Sequence, residues 1–264
     1  LMKRIIQKLH EKRKKPLFIF AITITNHTPY KTPKNYSPYP IKFNEQNKKL
    51  FKSFDKKTIN ILTSHQYTCN CIGNLINEVS NSALSENTII VATGDHSSHE
   101  IRNHFGFTDK NLMDKNGVPL IFYIPNNYKK DIFVDTSRFG SHKDIFPTLY
   151  NLALSNAEYY CVGNDLFSKN NKQDFFGIFE YNIAINKSGC VILDNSNPIF
   201  MEWKANSYND LDYVNSPSSS LIDLYKKLKS YSAFNTIRII EQIKSKNKGN
   251  KNITQFHKES FEIY

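Results

Sequence analysis

The stretch Asn87 to Glu100, NTIIVATGDHSSHE, runs from unbroken apolar residues into Gly94, Asp95 and His96, with His99 three positions on. A short β-branched run of this kind predicts a strand buried on both faces, which belongs in a sheet covered by helices on each side. Its carboxyl end sets a carboxylate beside an imidazole, which a buried strand does not by itself explain.

Working outward, SHQYTCNCIGNLINEVSNSAL places Tyr67, Cys71, Ile72, Leu75, Ile76 and Val79 at helical spacing just upstream, so a helix feeds the strand. Downstream, VPLIFYIP predicts a second buried strand between Pro119 and Pro125, and GSHKDIFPTLYNLAL a loop that opens a helix. Near the start, PLFIFAITITNHTPY predicts another buried strand, ending at Asn26 and His27, and residues 31–50 a surface excursion rich in Pro, Lys and Asn. Strands alternating with helices imply an α/β fold with a mostly parallel sheet flanked by helices.

From Phe175 the texture changes. FFGIFEYNIAI, CVILDN and PIFMEW are strand-like pieces in quick succession, and residues 219–245 have the spacing of an amphipathic helix. These predict an antiparallel C-terminal extension and a C-terminal helix. The chain thus divides into a basic helical lead-in (1–15), a main α/β unit (16–170) and a C-terminal part (171–264) that completes it or is appended to it. It opens at Leu1 within an amphipathic helical pattern, as a piece of something longer would.

The 264 residues carry a formal net charge of +11, with 39% hydrophobic residues, which is too apolar for a disordered chain. Basic surfaces attract nucleic acid, anionic lipid and phosphorylated substrates alike, so charge alone does not choose a partner. Nucleic acid ranks last: no recognition motif is present, and the aromatics lie in apparent strands rather than among arginines on one face. No run reaches the roughly 18 apolar residues of a membrane helix. Of the four cysteines, the C-x-C pair Cys69 and Cys71 falls in a helix and lacks the spacing of zinc or redox motifs, so packing is its expected role.

In open α/β sheets ligands bind beyond the carboxyl ends of strands. Two strand ends qualify: Thr25-Asn26-His27 and Thr93-Gly94-Asp95-His96. An adjacent carboxylate and imidazole suit a zinc or manganese site, while the plainer reading has Asp95 capping a turn and His96 packing. His99 and His104 extend the candidate set on the same loop. His142 precedes a helix for which Ser141 or Asp144 is the expected start and Thr148 a packing residue.

ITITNHTPY, NTIIVATGDH, VPLIFYIP and GSHKDIFPTLYNL, in that order and spacing, resemble the second half of the catalytic domain of the alkaline-phosphatase/sulfatase superfamily. The closest branch is that of lipoteichoic-acid-synthase-like phosphoglycerol and phosphoethanolamine transferases. The resemblance spans roughly residues 16–168 and extends to VGNDLF, residues 162–167. It implies a divalent metal, manganese or zinc, with Asp95 and His96 as ligands and His27 touching the phosphate or glycerol of the substrate. Asn26, His99 and His142 are further candidates.

The chemistry so implied is two-step: a metal-activated threonine attacks phosphorus, and an acceptor hydroxyl or water then releases the phosphoryl-enzyme. The motifs bearing that threonine and the first acidic ligand lie upstream of the Asn-His-x-Pro-Tyr strand in the family and have no counterpart here. The expectation is therefore the C-terminal portion of a transferase or ester hydrolase, truncated or split, whose activity alone is open. Its substrate would be an anionic lipid or glycan phosphate or sulfate ester of the cell envelope, and its partner the missing N-terminal membrane half. Full-length relatives of this kind are membrane-anchored with the catalytic domain outside the cytoplasmic membrane. The alternative is a non-catalytic module that holds anionic lipid or glycan.

Overall fold

A computed structural model describes residues 1–40, 54–154, 158–159, 161–170, 174–194, 197–205 and 207–247. Part of the excursion expected over 31–50, and the lysine-rich end beyond residue 247, lie outside the described residues.

Helix α1 (Met2–His10) packs on α2 (Lys56–Ser80). Asp55 starts α2 by accepting the Thr58 N–H at 2.7 Å. That bond holds its carboxyl below the usual carboxylate range. The apolar stripe read from the spacing is covered along its length: Leu75 and Val79 are buried and the other four positions half-buried. Ile6, Leu75 and Val79 form a cluster that reaches Ile90 and Tyr123, so the helices cover one side of the first strand pair.

That pair is β1 (Ile90–Thr93) and β2 (Leu120–Tyr123), antiparallel, with Ile90 opposite Tyr123 and Thr93 opposite Leu120. The apolar pattern predicted largely parallel pairing and full burial; here the pairing is antiparallel, and Leu120 and Ile121 stay over a third exposed. The connection explains the reversal. Helices α3 (His99–Phe105) and α4 (Leu112–Asn116) lie between the strands, and Leu112 packs against Cys190, Met201 and Leu211 of a second sheet. A connection docked there does not cross over the face of β1.

The stretch Leu17–Ile24 forms no strand, against the sequence expectation. Its chain passes by with Phe20, Ile22 and Ile24 at 62, 70 and 80% exposure. A strand exists through hydrogen-bonded neighbours, and among the described residues none pairs with this one.

The second sheet is the antiparallel meander β3 (Gly177–Phe179), β4 (Ile183–Asn186), β5 (Gly189–Asp194), β6 (Asn197–Trp203) and β7 (Leu211–Tyr213). Side chains alternate between two covered faces. Ala184 and Val191 meet Leu221, Leu224 and Leu228 of α6 (Ser219–Asn247), while Cys190, Met201 and Leu211 face Leu112. Burial pushes the Cys190 thiol up to about 12. Gly189 is obligatory: it has φ +151, and a Cβ there would sit 2.0 Å from the Met201 carbonyl oxygen.

This sheet holds the loop before α5 (Ile145–Ala153). Phe139 stacks on Trp203 at 5.8 Å, and a Cβ on Gly177 would lie 2.8 Å from the Gly140 carbonyl oxygen, so the two backbones touch. The segment Val162–Phe167 is pinned to α5 and its lead-in. Leu166 N–H donates to Thr148 Oγ1 at 2.9 Å and Asn164 N–H to Asp144 Oδ1 at 2.7 Å.

Candidate metal and phosphate site at the end of the first strand

Strand β1 delivers the chain at Gly94, whose carbonyl accepts Nε2–H of His142 at 2.8 Å across 48 residues. Asp95 is 90% exposed in its side chain; its Oδ1 accepts the His96 N–H at 3.0 Å, and its Oδ2 lies 3.7 Å from His96 Nε2. His96 Nδ1 stands 2.9 Å from the Ser97 carbonyl oxygen. A carbonyl can only accept, so Nδ1 carries a proton and Nε2 is the ring nitrogen that faces the Asp95 carboxylate. The plainer reading is realised in part: Asp95 does turn back on the His96 N–H, yet His96 is exposed rather than packed.

The loop beyond is firmly anchored. Ser97 Oγ donates to the Lys115 carbonyl at 2.6 Å, and Ser98 caps α3 by accepting the Ile101 N–H. Glu100, on the first turn of α3, receives the Tyr30 hydroxyl at 3.2 Å and pairs with Lys57 Nζ at 3.2 Å. A bond from its own backbone N–H, then Lys57 and Tyr30, hold its carboxyl below the usual range. Glu100 thus ties the loop that carries Asn26 and His27 to the helix that follows Asp95 and His96.

The other candidates take distinct places. Asn26 Oδ1 accepts the Thr68 hydroxyl at 3.0 Å and fastens its loop to α2. His27 is exposed, with Nδ1 donating to the Thr28 carbonyl at 3.2 Å, so its Nε2 is left free. The His99 ring lies 5.4 Å from that of His96, and its Nδ1 meets the Arg102 guanidinium. His104 packs edge-on against Phe54 at 4.4 Å. His142 spends Nε2 on Gly94.

Beneath His142 lies a feature the sequence reading missed. Lys143 and Asp144 form an ion pair at 2.6 Å with each side chain 1% exposed. Asp144 also accepts the Ser141 N–H at 2.8 Å in a capping box, and the ammonium sits 4.3 Å from the Phe176 ring centre. Burial pushes the Lys143 amine down, and Asp144 opposes that shift without overcoming it. Residues adjacent in sequence and opposite in charge give no sign of burial; only the contacts with Asn164 and Phe176, distant in the chain, produce it.

Two donors 2.1 Å from one tetrahedral ion stand roughly 3.4 Å apart, so Asp95 Oδ2 and His96 Nε2 at 3.7 Å suit a shared divalent ion. Among the described residues no third His, Cys, Asp or Glu joins them. The donor set fits half of a metal centre. A cavity of about 610 Å³, lined by Ser80, Ser85, Glu86, Tyr123 and Lys129 among others, lies at the other end of β1 and takes no part in this chemistry.

Residues 1–155 match the sulfatase family model, more than half of the chain. The chain belongs to the sulfatase family. It is 26% identical over 170 residues to lipoteichoic acid synthase 1 of Bacillus subtilis, covering 60% of this chain and 24% of that protein. It is 26% identical over 171 residues to lipoteichoic acid synthase of Staphylococcus aureus (strain USA300), covering 61% of this chain and 24% of the relative. The solved lipoteichoic acid synthase LtaP from Listeria monocytogenes superposes with a TM-score of 0.52 at 19% identity, over 81% of this chain and 52% of that one. The chain therefore spans about a quarter of the curated relatives' length. Within the sulfatase family it falls in the lipoteichoic-acid-synthase-like branch, with the mixed α/β fold and antiparallel C-terminal sheet that the sequence predicted.

Proposed function

We propose that this sulfatase-family chain supplies two protein ligands of a divalent-metal centre for phosphoglycerol- or phosphoethanolamine-transferase chemistry, or for the related ester hydrolysis, in the cell envelope. The observation that carries the proposal is the His96 ring: Nδ1 is committed to the Ser97 carbonyl, so Nε2 is the nitrogen turned to the open side, 3.7 Å from Asp95 Oδ2. A backbone-held imidazole of fixed tautomer beside an exposed carboxylate is what a ligand pair requires.

Asp95 contributes an anionic oxygen and His96 a neutral nitrogen. Bound manganese or zinc would neutralise charge on the phosphoryl oxygens and lower the pKa of an attacking hydroxyl. His142 holds the Gly94 carbonyl and with it the turn that aims Asp95. His27, exposed with Nε2 free, is placed to donate to a phosphate or glycerol oxygen when protonated, and the basic surface draws in the anionic lipid or glycan ester. On this reading the nucleophilic threonine and the first acidic ligand come from a partner segment, the N-terminal membrane half that the resemblance implies. Among the described residues no helix is long and apolar enough to cross a membrane.

Metal analysis after equilibration with Mn²⁺ or Zn²⁺ tests this, comparing the unaltered chain with Asp95→Ala and His96→Ala. Metal retained by the unaltered chain and lost in both variants supports the pair. Retention unchanged in both variants, or binding of anionic lipid without any metal, would favour the non-catalytic module.

A further inference from the structure

The stretch Leu17–Ile24 is held in place yet left uncovered. It runs without turn or bend, and Phe18 meets Phe146 of α5 with ring centres 6.1 Å apart. Just beyond its end, Asn26 is fastened to α2 through Thr68, and Tyr30 to α3 through Glu100. Between these anchors Phe18, Phe20, Ile22 and Ile24 are 52, 62, 70 and 80% exposed, and Leu17, Ala21 and Thr23, on the alternate positions, are exposed as well. Among the described residues the backbone from Leu17 to Thr23 makes no hydrogen bond to protein.

Exposure on both sides of one straight segment narrows what can cover it. A lipid surface or a single helix covers one side only. A partner that covers both also drives water from the backbone, whose N–H and C=O groups must then bond to a neighbouring strand. A second copy of the chain answers this poorly. It brings the same stretch, so the outer edges of the resulting pair stay open, and a net charge of +11 meets another.

We propose that Leu17–Ile24 is the docking strand for the partner segment, which adds a strand along it and covers both its faces. The surface stands on its own exposure; the identity of the partner rests on the function proposed above. The stretch runs directly into Asn26 and His27, and Glu100 joins that loop to the helix that follows Asp95 and His96. One end of an added strand therefore arrives beside the two donors that need further ligands.

Hydrogen exchange read by mass spectrometry tests this, comparing the chain alone with the chain produced together with the polypeptide encoded directly upstream of Leu1 in the source genome. Alone, the amides of Phe18 to Thr23 should exchange as fast as those of an unstructured segment. With that polypeptide they should slow by at least about a hundredfold. Phe20→Asp with Ile22→Asp should abolish both the complex and the slowing, while the circular dichroism of the chain alone stays unchanged. Asp95→Ala should leave docking intact, so failure of the metal pair and failure of the docking strand read separately. No coding segment there, no slowing in its presence, or slowing that survives the double replacement would overturn the proposal. So would slow exchange in a dimer of the chain alone, which would assign the stretch to a second copy.

Discussion

The second sheet and the stretch Leu17–Ile24 are built from the same residue types, β-branched and aromatic, yet Val191 is fully buried on β5 while Ile22 is 70% exposed. The difference lies in their neighbours. Val191 has Ala184 and Phe200 opposite it in the ladder and the leucines of α6 above it. Ile22 has no paired strand among the described residues. Apolar β-branched sequence is a capacity for sheet; hydrogen-bonded strands on either side turn the capacity into structure.

The largest effect expected concerns the clamp that joins the two parts. Asp144→Ala leaves the Lys143 ammonium buried without its partner and should cost about 3–5 kcal/mol in chemical denaturation. The double replacement Lys143→Met/Asp144→Leu should recover only part of that loss: neither charge then remains unpaired, but the Ser141 and Asn164 N–H groups lose their acceptor.

Leu224→Ala, beneath the sheet, should cost about 3 kcal/mol. Ile22→Ala should change stability by less than about 0.5 kcal/mol, since its side chain is already in water. A loss at Ile22 matching that at Leu224 would break the comparison, because it would place the stretch in a packed sheet in solution.

A smaller effect is expected at Asp55. Its carboxyl lies below its ordinary range when folded, held there by the Thr58 N–H, so the folded chain binds that proton less readily than the unfolded one. The stability it contributes is present above the unfolded value and is lost as pH falls through the lower folded value. Acidification should therefore fray the start of α2, and Asp55→Ala should show a shallower acid limb in helical circular dichroism.

Much was legible in sequence where the signal is local. The 3.6-residue spacing from Tyr67 to Val79 marked α2, and the alternating pieces after Phe175 marked the second sheet. Gly94-Asp95-His96 at a strand end marked the candidate site, because the strand and its polar terminus are contiguous. The His142 bond to Gly94 and the Glu100 link to Tyr30 were not legible, since they join positions 48 and 70 residues apart. The antiparallel return of β2 was hidden for the same reason: it depends on where Leu112 docks, on a sheet not yet reached in the chain.

The central claim, that Asp95 and His96 form a ligand pair, is tested most directly by nitrogen-15 NMR of the histidine rings during Mn²⁺ titration. The account predicts that the neutral form of the His96 ring carries its proton on Nδ1, and that Mn²⁺ broadens its resonances before those of His10 or His65. A His96 proton found on Nε2, or broadening that treats all the rings alike, would contradict it.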